Sequence, residues 1–114
     1  MSSDCLFCKI VAGTIPVQTL FEDGSCVAFP DIHPQAPVHV LVIPKEHIGS
    51  LAKVGAEHTV LLGQLMAAAA EVARMQGLEK GYRVVINTGD DGGQTVGHLH
   101  LHVLGGRHMG WPPG

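Results

Sequence analysis

Three histidines alternate with apolar residues near the end of the sequence. Successive side chains of a strand point to opposite faces, so this spacing predicts three imidazoles on one face and three apolar side chains facing a core. Imidazoles on one face lie close enough together to share a metal ion or a phosphate group. The histidines are His98, His100 and His102, and the apolar residues are Leu99, Leu101 and Val103.

Two chemistries fit this row of histidines. Two or three imidazoles can bind a catalytic zinc that activates water, or one imidazole can attack phosphorus and form a covalent phosphohistidine. The glycine-rich loop just before the row favours the second hypothesis, because Gly92, Gly93, Gln94 and Thr95 offer unhindered backbone N–H groups, an amide and a hydroxyl. These are donors that a phosphate group needs as it gains negative charge.

A second candidate site begins with the pair Cys5 and Cys8, separated by two residues. Such a pair serves as a redox couple or as half of a zinc site, and no predicted strand precedes it as redox use would require. Cys26 stands alone in a predicted strand and is expected in the core. The spacing also allows two unliganded thiols, and it leaves the other two zinc ligands open among His33, His39, His47, His58, His98 and His108.

A third candidate site surrounds Asp31. An aromatic ring at Phe29 and a branched side chain at Ile32 would enclose a base, and the Asp31 carboxylate would accept hydrogen bonds from ribose hydroxyls. The alternative is a simple Asp-initiated turn before Pro34.

Composition limits the class of protein. The 114 residues fit one domain, residues 1–114, and 46% hydrophobic with 15% charged residues is typical of a compact fold. A net charge of −3 with seven Lys and Arg argues against binding to a nucleic acid polymer. We expect no membrane span, because no apolar run approaches the roughly 20 residues needed. Without a signal peptide, three cysteines favour a cytoplasmic location.

The predicted elements place a strand group before one long helix and two more strands after it. This order predicts an α+β fold with an antiparallel sheet. Asp23 to Ser25 should form a hairpin turn, and Gly77 should follow the end of the long helix. The predicted helices are 6–12 and 56–76, and the predicted strands are 17–22, 26–29, 39–43, 82–87 and 96–104.

Residues 98–104 match the His-φ-His-φ-His-φ-φ motif, in which φ is apolar, and the chain resembles the histidine triad (HIT) superfamily. The ending Trp-Pro-Pro-Gly is similar to that of the Hint branch, the nucleoside phosphoramidate hydrolases. The resemblance runs from residue 5 to the last residue. It rests further on residues 7–10, 29–32, 34–37, 39–45, 81–83, 91–94 and 104–107.

The resemblance implies a homodimer in which a five-stranded antiparallel sheet from each subunit joins into a ten-stranded one. The long helices would pack across the dimer axis. The implied reaction is hydrolysis of purine nucleoside 5′-monophosphoramidates, without a metal in the chemical step. Sister branches suggest dinucleoside polyphosphate hydrolysis as an alternative. A metal-dependent hydrolase and a nucleotide-binding interaction protein with incidental catalysis are further alternatives.

The resemblance also implies a role for each site residue. His100 would be the nucleophile, with His102 and His39 tuning the phosphate charge and Thr95 near the leaving group. A structural zinc would be held by Cys5, Cys8, His47 and His98, which removes His98 from the chemistry. The nucleotide-binding residues would be Phe7, Phe29 and Ile32 for the base, Asp31 for the ribose, Gly93, Gln94, Thr95 and the Val96 backbone for phosphate, Asn87 at the pocket border, and Trp111 in the partner subunit's site.

Overall fold

The computed structural model describes residues 4–114 and confirms an α+β architecture with one five-stranded antiparallel sheet. Two short 3-10 turns, Leu51–Lys53 and Ala56–His58, precede the long helix. The helices are α1 (Leu6–Val11) and α2 (Thr59–Met75), and the strands are β1 (Phe21–Glu22), β2 (Cys26–Pro30), β3 (Val38–Pro44), β4 (Tyr82–Val85) and β5 (Leu101–Gly105).

The strand order is β1-β2-β3-β5-β4, so β3 and β5 lie at the centre of the sheet. The predicted turn between β1 and β2 is present, because one Asp23 carboxylate oxygen accepts from the Ser25 and Cys26 backbone N–H groups at 2.8 and 3.0 Å. These hydrogen bonds lower the pKa of Asp23. In the central pair, Leu41 lies opposite His102 and His39 opposite Leu104. This register brings His39 and His102 diagonally together on one face.

Helix α2 covers one face of the sheet and forms the larger core. Leu65, Ala69, Val72 and Ala73 are buried as their helical spacing predicts. Cys26 is fully buried in this core, and burial raises its pKa to about 11, so it is the inert core cysteine expected. The helix therefore leaves the opposite face of the sheet free for the histidines.

The opposite face carries a smaller core beneath α1. Phe7 packs edge-on against Phe29, with ring centroids 6.0 Å apart. Val27, Leu41 and Ile43 complete this cluster. The imidazole face of the histidine row borders the same cluster, so α1 and the sheet together position the candidate site.

Three predicted strands are shorter than expected, and a proline lies at the point where pairing stops in two of the three cases. Pro30 lacks an N–H and ends the β1–β2 ladder, so only Phe21 and Glu22 of the predicted strand 17–22 are paired. Pro44 ends β3 in the same way, and the row enters the sheet only at Leu101 instead of residue 96. β4 then ends at Val85, opposite His102, rather than at residue 87.

Within residues 4–114, no helix is long and apolar enough to cross a membrane.

Candidate active site and metal centre

The alternation of the histidine row survives outside the regular strand. Leu99, Leu101 and Val103 are buried in the core beneath α2, while the imidazoles face the other way. The segment before β5 is held by other bonds, with the Leu99 N–H donating to the Ile48 carbonyl at 2.7 Å. Burial of the apolar side chains therefore orients the imidazoles where the ladder does not.

At one end of the row, four donor side chains converge. We call Cys5, Cys8, His47 and His98 the metal cluster, since their ligand atoms all lie within 4.8 Å of one another. Nδ1 of His98 lies 3.3 Å from Cys5 Sγ, 3.6 Å from Cys8 Sγ and 3.1 Å from Nδ1 of His47. These separations are near the edges, about 3.3–3.8 Å, of a tetrahedron of two sulfur and two nitrogen ligands around zinc.

The protonation of His98 suits a metal ligand. Its Nε2 lies 3.0 Å from the Pro44 carbonyl oxygen, which can only accept, so Nε2 carries the proton and Nδ1 presents a lone pair to the cluster. Burial lowers the pKa of His98, which keeps the ring neutral. The pKa of Cys8 is raised by burial and by the neighbouring Cys5 thiol, so two thiolates here require a cation. The four residues fit a structural zinc.

At the other end of the row lies a second cluster, Asp31, His39 and His102, which we call the relay cluster. Nε2 of His39 lies 2.9 Å from Nδ1 of His102 and 3.4 Å from Oδ2 of Asp31. His39 is buried, whereas Asp31 and His102 are partly exposed. The three ligand atoms also lie within 4.8 Å of one another.

Hydrogen bonds assign the protons of the relay cluster. The Gln35 backbone N–H donates to Nδ1 of His39 at 3.0 Å, so a neutral His39 carries its proton on Nε2 and donates to Nδ1 of His102. A neutral His102 then carries its proton on Nε2. Among residues 4–114, this Nε2 is the buried side-chain nitrogen that lacks a hydrogen-bond partner. In the neutral tautomer it is an unpaired, buried N–H donor.

Burial keeps both relay imidazoles neutral. It lowers the pKa of His39, against the opposing effect of Asp31. It also lowers the pKa of His102 to about 4, with the neighbouring His100 and His39 acting in the same direction.

His100 lies between the two clusters with a fixed orientation. Its Nδ1 is 2.7 Å from the His98 carbonyl oxygen, so Nδ1 carries a proton, and in the neutral tautomer the lone pair is on Nε2. Phe7 packs edge-on against the ring, with centroids 5.1 Å apart, and the His102 ring lies at 5.0 Å. A neutral imidazole held in this way is a nitrogen nucleophile.

The glycine-rich loop is a closed turn. The Gln94 side chain accepts from the Gly89 N–H at 3.0 Å and donates to the Gly49 and Val96 carbonyls at 2.8 and 2.9 Å. Its amide is therefore engaged with backbone rather than free for a phosphate. Gly93 and Thr95 are exposed, and a Cβ at Gly92 would collide with the Thr88 carbonyl.

The predicted nucleoside-binding residues fall into two groups. Phe7 and Phe29 are each only 4% exposed, so they present little ring surface to a ligand. Ile32 and Trp111 are 85% and 83% exposed, and Asn87 is half-buried on the segment after β4. Of the apolar residues predicted around a base, Phe7 and Phe29 therefore pack against each other in the smaller core, whereas Ile32 is exposed at the surface.

Sequence reasoning missed the backbone groups that decide proton positions. The Gln35 N–H and the Pro44 carbonyl assign the tautomers of His39 and His98, and neither has a side-chain signature. The signal available was their position: Gln35 precedes His39 in a proline-bounded loop, and Pro44 ends the strand beside the row.

Known proteins and structures match this chain over nearly its whole length. The HIT domain model matches residues 12–109. A HIT-like protein of Synechococcus elongatus is 54% identical over 114 residues, covering 100% of both chains. A 14 kDa zinc-binding protein of Zea mays is 51% identical over 114 residues, covering 98% of this chain and 89% of its own. The crystal structure of a HIT family hydrolase from Legionella pneumophila superposes with a TM-score of 0.95 at 51% identity, covering 97% of this chain and 100% of its own.

Proposed function

The chain belongs to the HIT domain family, and on that premise we propose that it hydrolyses purine nucleoside 5′-monophosphoramidates to a nucleotide and an amine. One observation carries the proposal: the His98 carbonyl holds Nδ1 of His100, so the neutral tautomer has its lone pair on Nε2, and Nε2 of the adjacent His102 lacks a partner within residues 4–114. A nucleophile and a donor for a phosphate oxygen thus lie next to each other.

The reaction proceeds in two steps. His100 Nε2 attacks the α-phosphorus, the P–N bond to the substrate amine breaks, and the amine leaves after taking up a proton. Water then attacks the same phosphorus, the bond to His100 Nε2 breaks, and the nucleotide is released. The exposed Thr95 lies on the leaving-group side, and the water's proton passes to solvent or to the freed imidazole.

His102 and His39 act on the charge that develops on phosphate. The His102 Nε2–H donates to a phosphate oxygen, and His39 acts through Nδ1 of His102. Asp31 faces the same pair, and its remaining lone pairs accept from the ribose. Gly93, Gln94 and Val96 supply loop donors, with the Gln94 amide first releasing its backbone partners.

The structural zinc would be held by the metal cluster and would supply cross-linking of the fold, not a Lewis acid for the substrate. The Pro44 carbonyl that orients His98 supports this role, since such second partners fix the ligand ring. Chelation should therefore lower stability before it lowers activity. A metal-dependent hydrolase would lose activity as soon as the metal is removed.

We also propose a homodimer in the cytoplasm. β4 is an edge strand, and exposed apolar side chains at Tyr82 and along α2 at Val60, Met66 and Met75 would be covered by a second copy. Trp111 would then reach the partner subunit's site and Asn87 would border the pocket. Light scattering on the purified protein measures the assembly, and a monomeric mass at micromolar concentration would contradict it.

The decisive test traps the covalent intermediate. Wild-type protein mixed with adenosine 5′-monophosphoramidate and quenched in denaturant at alkaline pH should gain the mass of one nucleotidyl group, located on His100 by fragmentation. His108→Ala, an exposed histidine outside the row, should gain the same mass. Turnover without an adduct on His100 would contradict the mechanism.

Substrate comparison separates the alternatives. The proposal predicts faster turnover of the phosphoramidate than of a dinucleoside polyphosphate, and the reverse order would favour the sister activity. Nucleotide binding with no turnover of either compound would favour an interaction protein.

A further inference from the structure

Hydrogen bonds connect the loop that carries Asp31 to His39. The Asp31 N–H donates to the His39 carbonyl at 3.0 Å, and the His33 N–H donates to the Asp31 carboxylate at 2.8 Å. The Gln35 N–H then meets Nδ1 of His39 at 3.0 Å. The proton position of a buried imidazole therefore depends on one peptide plane of an exposed loop.

The turn after β5 contacts the same loop through the Arg107 side chain. The Arg107 guanidinium donates from Nη2 to the Gln35 carbonyl at 3.1 Å and from Nη1 to the His108 carbonyl at 3.3 Å. Gly106 has a φ of 90°, and a Cβ there would lie 2.9 Å from Cβ of Pro37. The turn thus makes one hydrogen bond to Gln35 and packs its glycine backbone closely against the same loop at Pro37.

We propose, resting on the function above, that Arg107 is a positioning residue that fixes the proton of the His39–His102 relay through Gln35. The guanidinium holds the Gln35 carbonyl, in the peptide unit that follows the N–H and is joined to it through Cα of Gln35. It thereby restrains the backbone conformation in which that N–H is directed at Nδ1 of His39. His39 then keeps its proton on Nε2, and His102 keeps its own on Nε2, the atom that would donate to the phosphate.

Loss of this restraint makes a second neutral arrangement of the relay accessible, in which the hydrogen bond between His39 and His102 is kept but runs in the opposite direction. His39 can place its proton on Nδ1, and Nε2 then accepts a hydrogen bond from a His102 protonated on Nδ1. His102 would present a lone pair to the phosphate instead of an N–H. The groups facing the pair are Asp31 beside His39 and His100 beside His102. The Asp31 carboxylate, 3.4 Å from Nε2 of His39, favours the same proton position as the Gln35 N–H, so loss of the Gln35 restraint is expected to give a mixture of the two neutral arrangements.

The test compares Arg107→Met, which keeps the aliphatic stem, with Arg107→Lys, which keeps one donor. Arg74→Met is the matched control, because Arg74 is an exposed arginine on α2 whose side chain pairs with Glu71 and not with the loop. Imidazole 15N NMR on the zinc-loaded proteins reports the tautomers of His39 and His102 at neutral pH. Steady-state kinetics on adenosine 5′-monophosphoramidate report kcat and KM.

Arg107→Met should show mixed tautomers at His39 and His102 and a kcat lowered about five- to thirtyfold, with KM changed less than twofold, since a tenfold rate change corresponds to one lost interaction of ordinary strength. Arg107→Lys should recover most of both signals, and Arg74→Met should resemble the wild type. Wild-type tautomers in Arg107→Met would overturn the proposal even if kcat falls. A tautomer shift in a protein without phosphoramidate turnover would support the positioning role and contradict the proposed function instead.

Discussion

The metal cluster and the relay cluster use the same kinds of side chain in opposite ways. Both gather at least three potential ligands within 4.8 Å on the same face of one sheet. In the metal cluster, Nε2–H of His98 donates to the Pro44 carbonyl, so the lone pair on Nδ1 points toward the other ligands. In the relay cluster, the Gln35 N–H donates to Nδ1 of His39, so the proton on Nε2 points toward His102.

This difference teaches that a single backbone group decides what a histidine cluster does. Converging lone pairs repel one another until a cation joins them, whereas an ordered row of N–H groups suits an anion. A metal bound in the relay cluster would have to displace the proton from Nε2 of His39. That proton cannot move to Nδ1, because Nδ1 already accepts a hydrogen bond from the Gln35 N–H. We therefore expect one zinc per chain, bound at the metal cluster.

The largest expected effect comes from the histidine between the two clusters. His100→Ala should lower phosphoramidate turnover by at least about 1,000-fold, because removing a nucleophile removes the covalent pathway. Nucleotide binding and zinc content should change little. Kinetics, calorimetric titration with nucleotide and metal analysis measure the three quantities, with His108→Ala as the control. A variant that retains turnover would end the assignment of His100.

The next effect tests the metal cluster alone. Cys8→Ser should abolish stoichiometric zinc and lower the free energy of unfolding by about 4 kcal/mol when free zinc exceeds its dissociation constant a thousandfold. Chelator should destabilise the wild type and leave Cys8→Ser unchanged, as measured by urea unfolding. Cys26→Ala removes a core thiol outside the cluster and should keep its zinc. Full zinc content in Cys8→Ser would contradict the ligand set.

The relay cluster should make stability depend on pH. The pKa of His102 is about 4 in the folded protein and 6.5 ordinarily, so the unfolded chain binds the proton first as pH falls. Its neutral form thus contributes stability that is fully present above pH 6.5 and is lost between pH 6.5 and 4.

His102→Gln should flatten this dependence by about 2 kcal/mol between pH 7 and pH 5. Urea unfolding of wild type and variant at both values gives the difference, in which the acid sensitivity of the zinc site cancels. His33→Gln, in the exposed loop, is the control. Equal slopes in wild type and His102→Gln would show that His102 is not the group responsible.

The smallest effect tests whether the two regions are linked. Gln94 joins the Gly49 carbonyl, two residues after His47, to the glycine-rich loop before the row. Gln94→Ala should cost about 1 kcal/mol of unfolding free energy and raise amide exchange at Gly89, with zinc still bound. Gln76→Ala, at the end of α2, controls for a lost surface amide. Unchanged amide exchange at Gly89 would show that the Gln94 side chain does not link the two regions.

Much of this arrangement is predictable from the sequence, for reasons visible in single residues. Alternation places Leu99, Leu101 and Val103 in the core whether or not a ladder forms, because burial follows side-chain polarity. The start of β5 is not predictable, because it depends on Pro44 in a distant strand. Spacing leaves the ligands of Cys5 and Cys8 open among six histidines. The resemblance selects His47 and His98, and the fold brings these four side chains together.

Proton positions are the part that sequence patterns do not contain. Gln35 donates through its backbone N–H, which nearly every residue type possesses. Only the folded loop, with Arg107 outside it, gives that N–H a direction.

The separation of Cys5 and His98 along the chain has a consequence for the order of folding. These two side chains meet across 93 positions, so their contact closes one of the longest loops that a chain of 114 residues allows. Such contacts form after local ones, because the entropy of loop closure must be offset by structure already made. During synthesis, α2 and the first four strands leave the ribosome before His98 does. The four-ligand zinc site is thus completed late, and zinc bound there would join the first helix to the segment that leads into the last strand.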